Sequence, residues 1–332
     1  MQGNLIDKWG REINYLRVAV TDRCNLRCFY CMPEEGIKYL SRNELLSYEE
    51  LLRLIEIFSK IGITKIRLTG GEPFVRKEMM AFIENINKIS EINSIHITTN
   101  GVFAHQYLDR FEKAGIKSVN LSLDTRDEKK FKVLTRRDEF KNVMKSFHGL
   151  VERGIKTKVN MVVIDGKNTD DILPMLELAK DYPIEMRYIE EMPFNGDKNH
   201  NVTLGWNHIK ILETIKSKYP DLISAVDEKS ATAKTYSIPN FKGSFGIIPA
   251  YSRTFCDSCN RIRLTSQGTI RTCLYDEGEL NLKKIMRTGG TDEDVKKALF
   301  EVIGKKAKNG FVAESNRKIN PNVSESMSSI GG

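Results

Sequence analysis

The sequence predicts an α/β protein: an open, partial barrel of six parallel strands, each followed by a helix, with a C-terminal extension. Three observations carry that expectation. Over the first 192 residues, short β-branched runs alternate with amphipathic stretches at helical spacing. That alternation is the mark of strand–helix units on a parallel sheet. Six such units suit an open barrel better than a closed eightfold one. After residue 192 the rhythm breaks at the polar loop PFNGDKNHN, and a region of different character begins.

The six strands are read over 15–21, 65–70, 94–100, 118–125, 156–164 and 184–192. The clearest helix runs from Ser47 to Gly62. Ser47 and Glu50 form a capping-box pattern, and Leu51, Leu54, Ile55, Phe58 and Ile61 recur at helical spacing. Gly62 suits the C-cap. Thr169 is placed to cap a helix that runs to Lys180. In the extension, 206–218 reads as helix, and short strands follow near 245–250, 260–265 and 269–274. Thr291 is placed to cap a final helix. The end, NPNVSESMSSIGG, is polar and reads as a mobile tail.

The chain has 332 residues, 40% of them hydrophobic and 29% charged. That is ordinary globular composition, long enough for a barrel with an appendage. No run of 18 apolar residues occurs, so no membrane span is expected. The start, MQGNLIDKWGREINYL, lacks a basic region followed by an apolar one, so no secretory signal is expected. The expected compartment is the cytoplasm, where clustered cysteines suggest metal rather than disulfides. The net charge is +8, spread along the chain. A solvated basic surface and an anionic ligand, either a phosphate ester or nucleic acid, both accommodate it.

All six cysteines fall into two triads: Cys24-x3-Cys28-x2-Cys31 and Cys256-x2-Cys259-x13-Cys273. Structural zinc and ordinary electron-transfer clusters take four protein ligands. Three thiolates can instead hold three irons of a four-iron cluster and leave the fourth iron open. No histidine lies near the first triad; the nearest in sequence is His96. The second triad could alternatively hold zinc with His200, His208 or a carboxylate. Arg261 and Arg263 alternate on a strand beside it and point to one face. Such arginines can clamp phosphates by forked hydrogen bonds.

The first triad, with Tyr30 before its last cysteine, resembles the signature of radical S-adenosylmethionine enzymes. The resemblance implies that the methionyl group of S-adenosylmethionine chelates the open iron. One electron then cleaves the sulfonium and releases a 5′-deoxyadenosyl radical. LTGGEP (68–73) resembles that class's glycine motif, with Gly70, Gly71 and Glu72 near the methionyl amine. Ser122 ends the fourth strand in LSLD and is placed for the methionyl part.

LRVAVTDRCNLRCFYCMP, KIRLTGGEP, TTNG, SLD, KVN, EEMP, the second triad and the terminal Gly-Gly come in one order along the chain. Together they resemble the GTP 3′,8-cyclase family, which acts first in molybdenum cofactor biosynthesis. The resemblance implies a partial (β/α)6 radical-SAM barrel over 1–192. It implies an auxiliary-cluster and substrate domain over 193–318, and a tail over 319–332. It implies two [4Fe-4S] clusters, each on three cysteines, with S-adenosylmethionine as cosubstrate. GTP would lie between the clusters in a basic channel, held by Arg17, Arg67, Thr98, Lys158, Arg261 and Arg263. Tyr30, Gly71, Ser122 and Met192 would face S-adenosylmethionine. Arg17 would also be catalytic, and Gly331 and Gly332 would support activity from the tail. The implied partners are GTP, a flavodoxin-like electron donor, a downstream cyclic pyranopterin monophosphate synthase and a second copy of the chain, with no nucleic acid and no membrane.

Each assignment has a plainer counterpart. Thr98 can be a β-former, Met192 a core residue and Lys158 a solvated edge residue. The serine-rich PNVSESMSSI before Gly-Gly has no clean counterpart in the resemblance. Two other functions fit part of the pattern: a peptide-modifying radical enzyme and a zinc-stabilised RNA-binding protein.

Overall fold

A computed structural model describes residues 3–196, 205–278, 280–317 and 325–331. Among the described residues, twelve strands form one sheet. In chain order they are β1 (Tyr15–Ala19), β2 (Lys65–Thr69), β3 (Ser94–Thr99), β4 (Ile116–Ser122), β5 (Thr157–Val163), β6 (Glu185–Glu190), β7 (Ile223–Ser224), β8 (Lys234–Ser237), β9 (Ser244–Ile248), β10 (Arg261–Leu264), β11 (Thr269–Arg271) and β12 (Leu280–Asn281). Their order across the sheet is β12-β11-β10-β1-β2-β3-β4-β5-β6-β9-β8-β7. The six expected strands are therefore central, parallel and sequential. The extension adds a parallel strand at each edge, β10 beside β1 and β9 beside β6. Antiparallel ribbons lie beyond both. β9 and β10 are not neighbours in that order, so the described sheet curls without closing.

Period-two alternation separates the two faces. Leu16, Val18, Ile66, Leu68, Ile95, Ile97, Val119, Leu121, Val159, Met161 and Met186 point to the helical layer and are wholly or almost wholly buried. Each contributes roughly 1.5–3 kcal/mol by leaving water. The opposite face turns inward and is polar, and it lines the site.

The capping box on the helix Tyr48–Ser59 forms as expected: Ser47 accepts from the Glu50 N–H, and Glu50 accepts from Ser47. Gly62 lies two residues past the cap, at φ +101°, against Asn4. Thr169 does not cap the next helix. It opens a 3₁₀ turn, Thr169–Asp171, and the helix Ile172–Asp181 starts only afterwards. Asp171 stands at its N-cap but is committed to Thr125 and Lys130. Thr291 does cap the helix Asp292–Gly304. That helix is not the last, because Gly310–Ser315 and Met327–Ile330 follow. The tail was expected to be mobile, but its described part, 325–331, packs into the barrel mouth, with Ser328 and Ile330 buried. Tail residues 319–324 and Gly332 lie outside the described residues. No described helix is long and apolar enough to cross a membrane.

Candidate functional site

The first triad sits on the loop after β1, which is stitched to the glycine turn after β2. Val20 donates to the Thr69 carbonyl, Gly71 to Thr21 and Glu72 to Arg23. A side chain on Gly70 or Gly71 would run into the backbone of residues 21–23. The glycines thus admit the cysteine loop itself, and both line the cavity that the loop faces.

Glu72 departs from expectation. It is fully buried and accepts from Phe74 N, Thr99 Oγ1 and Asn100 N at 3.1, 2.8 and 2.7 Å. Burial lifts its pKa to about 7 against those hydrogen bonds. Its oxygens are committed to holding β2 and β3 together, so it does not offer itself to a ligand amine. Glu72→Ala should cost on the order of 1–3 kcal/mol, because it strands buried donors. Urea unfolding checks this; an unchanged midpoint would return Glu72 to the ligand side.

Within the loop, Cys31 and Met32 both donate backbone N–H groups to Cys28 O. Arg136, at φ +55°, reaches the carbonyls of Arg27 and Met32. Asn100 Nδ2 lies 3.6 Å from Cys24 Sγ. The Tyr30 hydroxyl donates to Asp124 at 2.9 Å, and Asp124 also accepts from Val162 N. Burial pushes the thiols up, Cys24 to about 12 and Cys31 to about 11. Such thiols stay protonated until a metal's charge replaces the proton.

The second triad stands on different elements. Cys256 and Cys259 share a 3₁₀ turn before β10, and Cys273 follows β11. Asp276 accepts from Thr272 N, Thr272 Oγ1 and Cys273 N. Arg11, paired with Asp7 at 2.6 Å, donates to Cys256 O. The buried Lys306 donates to the carbonyls of Arg261 and Thr272. Burial raises the Cys259 thiol, but Lys306 and Arg261 outweigh it and bring it to about 7. His208 is paired with Glu190 at 2.9 Å and is not among the residues that line the cavity the triad faces. His200 lies outside the described residues. Among the described residues, no three His, Cys, Asp or Glu side chains converge tightly enough for a single metal ion.

Both triads face one cavity of about 720 Å³. Between them the inward face of the sheet is cationic. The strand register sets Arg263 beside Arg17, and Arg17 beside Arg67. Like charges in adjacent positions repel. Arg17 Nε is buried without a hydrogen-bond partner. Burial, then Arg263, holds the Arg17 pKa well down. Arg67 reaches the Tyr15 hydroxyl at 2.6 Å and Thr98 Oγ1 at 3.5 Å. Burial raises the Tyr15 pKa, yet Arg67 and Arg17 together bring it to about 8. Lys158 is no solvated edge residue: with Arg187 it grips Glu185, at 2.7 and 2.5 Å. Arg261 donates to Ser230 O at 2.6 Å, and Arg263 to Gly331 O.

The expected site residues Tyr30, Gly71, Ser122, Met192, Thr98, Lys158, Arg261 and Arg263 all line this cavity with Arg17 and Arg67. Gly331 closes on its rim at φ +81°, against Ala19 and Thr69. The sequence reading missed Tyr15, Lys65, Glu185 and Arg187. All four stand two residues from a predicted site residue or at the same inward parity on a neighbouring strand, so period-two counting would have found them.

An open parallel sheet with a cysteine loop after its first strand defines the architecture of the Radical SAM superfamily, whose family model matches residues 18–179. Residues 184–312 match the model described as Molybdenum Cofactor Synthesis C. A GTP 3′,8-cyclase of Syntrophomonas wolfei is 40% identical over 327 residues, covering 95% of this chain and 98% of that one. One from Clostridium botulinum is 43% identical over 280 residues, covering 84% and 86%. The chain belongs to the GTP 3′,8-cyclase family. It is also 37% identical to molybdenum cofactor biosynthesis protein 1 of Homo sapiens over 328 residues, 96% of this chain and 50% of that one. It thus spans about half the length of such relatives. Among solved structures, Streptococcus suis SuiB shares the fold, with a TM-score of 0.65 at 12% identity, covering 96% of this chain and 77% of that one.

Proposed function

We propose that the chain converts GTP to (8S)-3′,8-cyclo-7,8-dihydroguanosine 5′-triphosphate as a radical S-adenosylmethionine enzyme of molybdenum cofactor biosynthesis. One observation carries the reading: the Arg263–Arg17–Arg67 row, which makes no salt bridge among the described residues, lines the same cavity as two cysteine triads. A polyanion between those arginines would relieve their mutual repulsion and satisfy the buried Arg17 Nε.

Cys24, Cys28 and Cys31 would hold one [4Fe-4S] cluster and Cys256, Cys259 and Cys273 a second; when bound, the first supplies the electron that cleaves S-adenosylmethionine to a 5′-deoxyadenosyl radical. The donor set fits, being soft sulfur only: each triad offers three free cysteines, and all six line one cavity. The chain's own residues then orient the nucleotide. Arg17, Arg67, Lys158, Arg261 and Arg263, joined by Lys65 and Arg187, hold the phosphates and the base. Thr98 buttresses Arg67. Tyr30, Gly71, Ser122 and Met192 wall the side that faces S-adenosylmethionine. The hydrogen atom of ribose C3′ would pass to the deoxyadenosyl carbon, and C3′ would bond to C8 of guanine, leaving an unpaired electron on the ring. One electron from the external donor and one proton would complete the dihydro product, a reduction that Arg17 would assist.

In the same reading, 1–192 is the catalytic barrel, 193–318 the auxiliary-cluster unit and 319–332 the tail, with Gly331 and Gly332 supporting activity. The chain works in the cytoplasm as a homodimer. It takes electrons from a flavodoxin-like donor and passes its product to a cyclic pyranopterin monophosphate synthase. Anaerobic incubation with GTP, S-adenosylmethionine and a reductant should give 5′-deoxyadenosine and a cyclised guanosine product. A colourless protein that carries zinc instead of iron and sulfide would overturn the reading.

A further inference from the structure

The serine-rich segment before the final glycines has a defined place. Ser326 bridges Asn195, and Met327 N donates to Phe194 O at 2.9 Å. Glu325 takes both its oxygens to Arg271 Nη2, at 2.6 and 2.8 Å, on the strand that leads into Cys273. At the far end, Arg263 holds the Gly331 carbonyl. Between these anchors the segment crosses to the other triad. The Ser326 hydroxyl donates to the Cys31 carbonyl at 2.7 Å and lies 2.7 Å from the Ser328 hydroxyl. Both serines are buried, at 4% and 1% exposed. Met327 and Ile330 pack into a small apolar cluster with Phe194, Tyr275 and Ala313.

We infer that Ser326 and Ser328 are positioning residues of the first triad. They hold Cys31 from the tail, so that the electronic properties of a cluster there depend on how the tail is seated against Arg271 and Arg263. The inference rests on the reading of the first triad as a cluster site. The Ser326 hydroxyl donates to the Cys31 carbonyl, so the positive end of its dipole points at the ligand loop, and the Ser328 hydroxyl beside it fixes that orientation. Reduction adds negative charge to a cluster held there, and the hydrogen bonding and burial around its ligands set how readily that charge is accepted. A seated tail therefore makes the first cluster easier to reduce, and a loosened tail makes it harder. Because Glu325 is tied to the strand entering Cys273, a change at the second triad reaches the first through seven residues of one strap.

The test is a redox titration of anaerobically reconstituted full-length protein. It follows the electron paramagnetic resonance signal that changes when S-adenosylmethionine is added, because that signal reports the first cluster. Ser326→Ala should shift its midpoint to more negative potential with iron content unchanged, and Ser326→Thr should restore it. Glu325→Gln, which never touches Cys31, should shift it in the same direction by a smaller amount. Ser329→Ala should leave it in place. If Ser326→Ala loses first-cluster iron that Ser326→Thr retains, the hydroxyl positions the ligand loop, as inferred. Midpoints that coincide for wild type, Ser326→Ala and Glu325→Gln would overturn the inference. A wild-type protein with no signal that responds to S-adenosylmethionine would overturn instead the cluster reading on which it stands.

Discussion

Replacing Cys24, Cys28 and Cys31 together by Ala leaves about half the iron, since each triad would hold one cluster of the same size, and abolishes 5′-deoxyadenosine formation. The two triads are separable because their loops are built separately. The first hangs on the β2 turn, Arg136 and Thr135. The second hangs on Asp276, Lys306 and the Asp7–Arg11 pair. Loss of the three sulfurs leaves those backbone hydrogen bonds in place, so the chain still folds. The reciprocal replacement of Cys256, Cys259 and Cys273 keeps the other half of the iron and impairs GTP binding. Iron and sulfide analysis with paramagnetic resonance reads both. Full iron in either triple variant would show that one triad holds no cluster.

The second large effect falls on Arg17, and it splits by readout. Arg17→Met removes one preorganised cation from the reacting site, a loss typically on the order of 10²–10³ in rate. Cyclised product should fall accordingly while GTP still binds, more weakly. Stability should move the other way. Without an anion, Arg17 lies buried between two other arginines, and its removal relieves desolvation and repulsion. The ligand-free variant should melt roughly 1–3 °C higher than wild type, as expected for a gain near 1 kcal/mol in a chain of this size. A lower melting temperature with full product yield would make Arg17 an ordinary strand residue.

Much of this was legible in the sequence because the physics is local. The six central strands announce themselves by β-branched runs, and Ser47 with Glu50 fixes a helix start through contacts three residues apart. The triads are visible as spacing. What was not legible depends on partners far along the chain. Asp171 looks free to cap until Thr125 and Lys130 claim it, which moves the helix start past Thr169. Glu72 looks like a ligand group until Thr99 and Asn100 close on it. The destination of the tail depends on Arg271 and Cys31, which are distant from it in sequence. The edge strands β9 and β10 were found as short strands, but nothing local says that each joins an opposite edge of the barrel. The inward cations were half found. Arg17, Arg67 and Lys158 came with the resemblance, whereas Lys65, Glu185 and Arg187 needed the register that sets them on the same face.

The central claim is that this lumen presents the ribose of GTP to a radical generated at the first triad. Incubating the anaerobic, reconstituted protein with S-adenosylmethionine, a reductant and GTP deuterated at C3′ tests it most directly, by mass spectrometry of the 5′-deoxyadenosine. The account predicts one deuterium in that product, accumulating with the cyclised nucleotide. Deoxyadenosine that forms at the same rate without GTP, or that carries no deuterium, would contradict it.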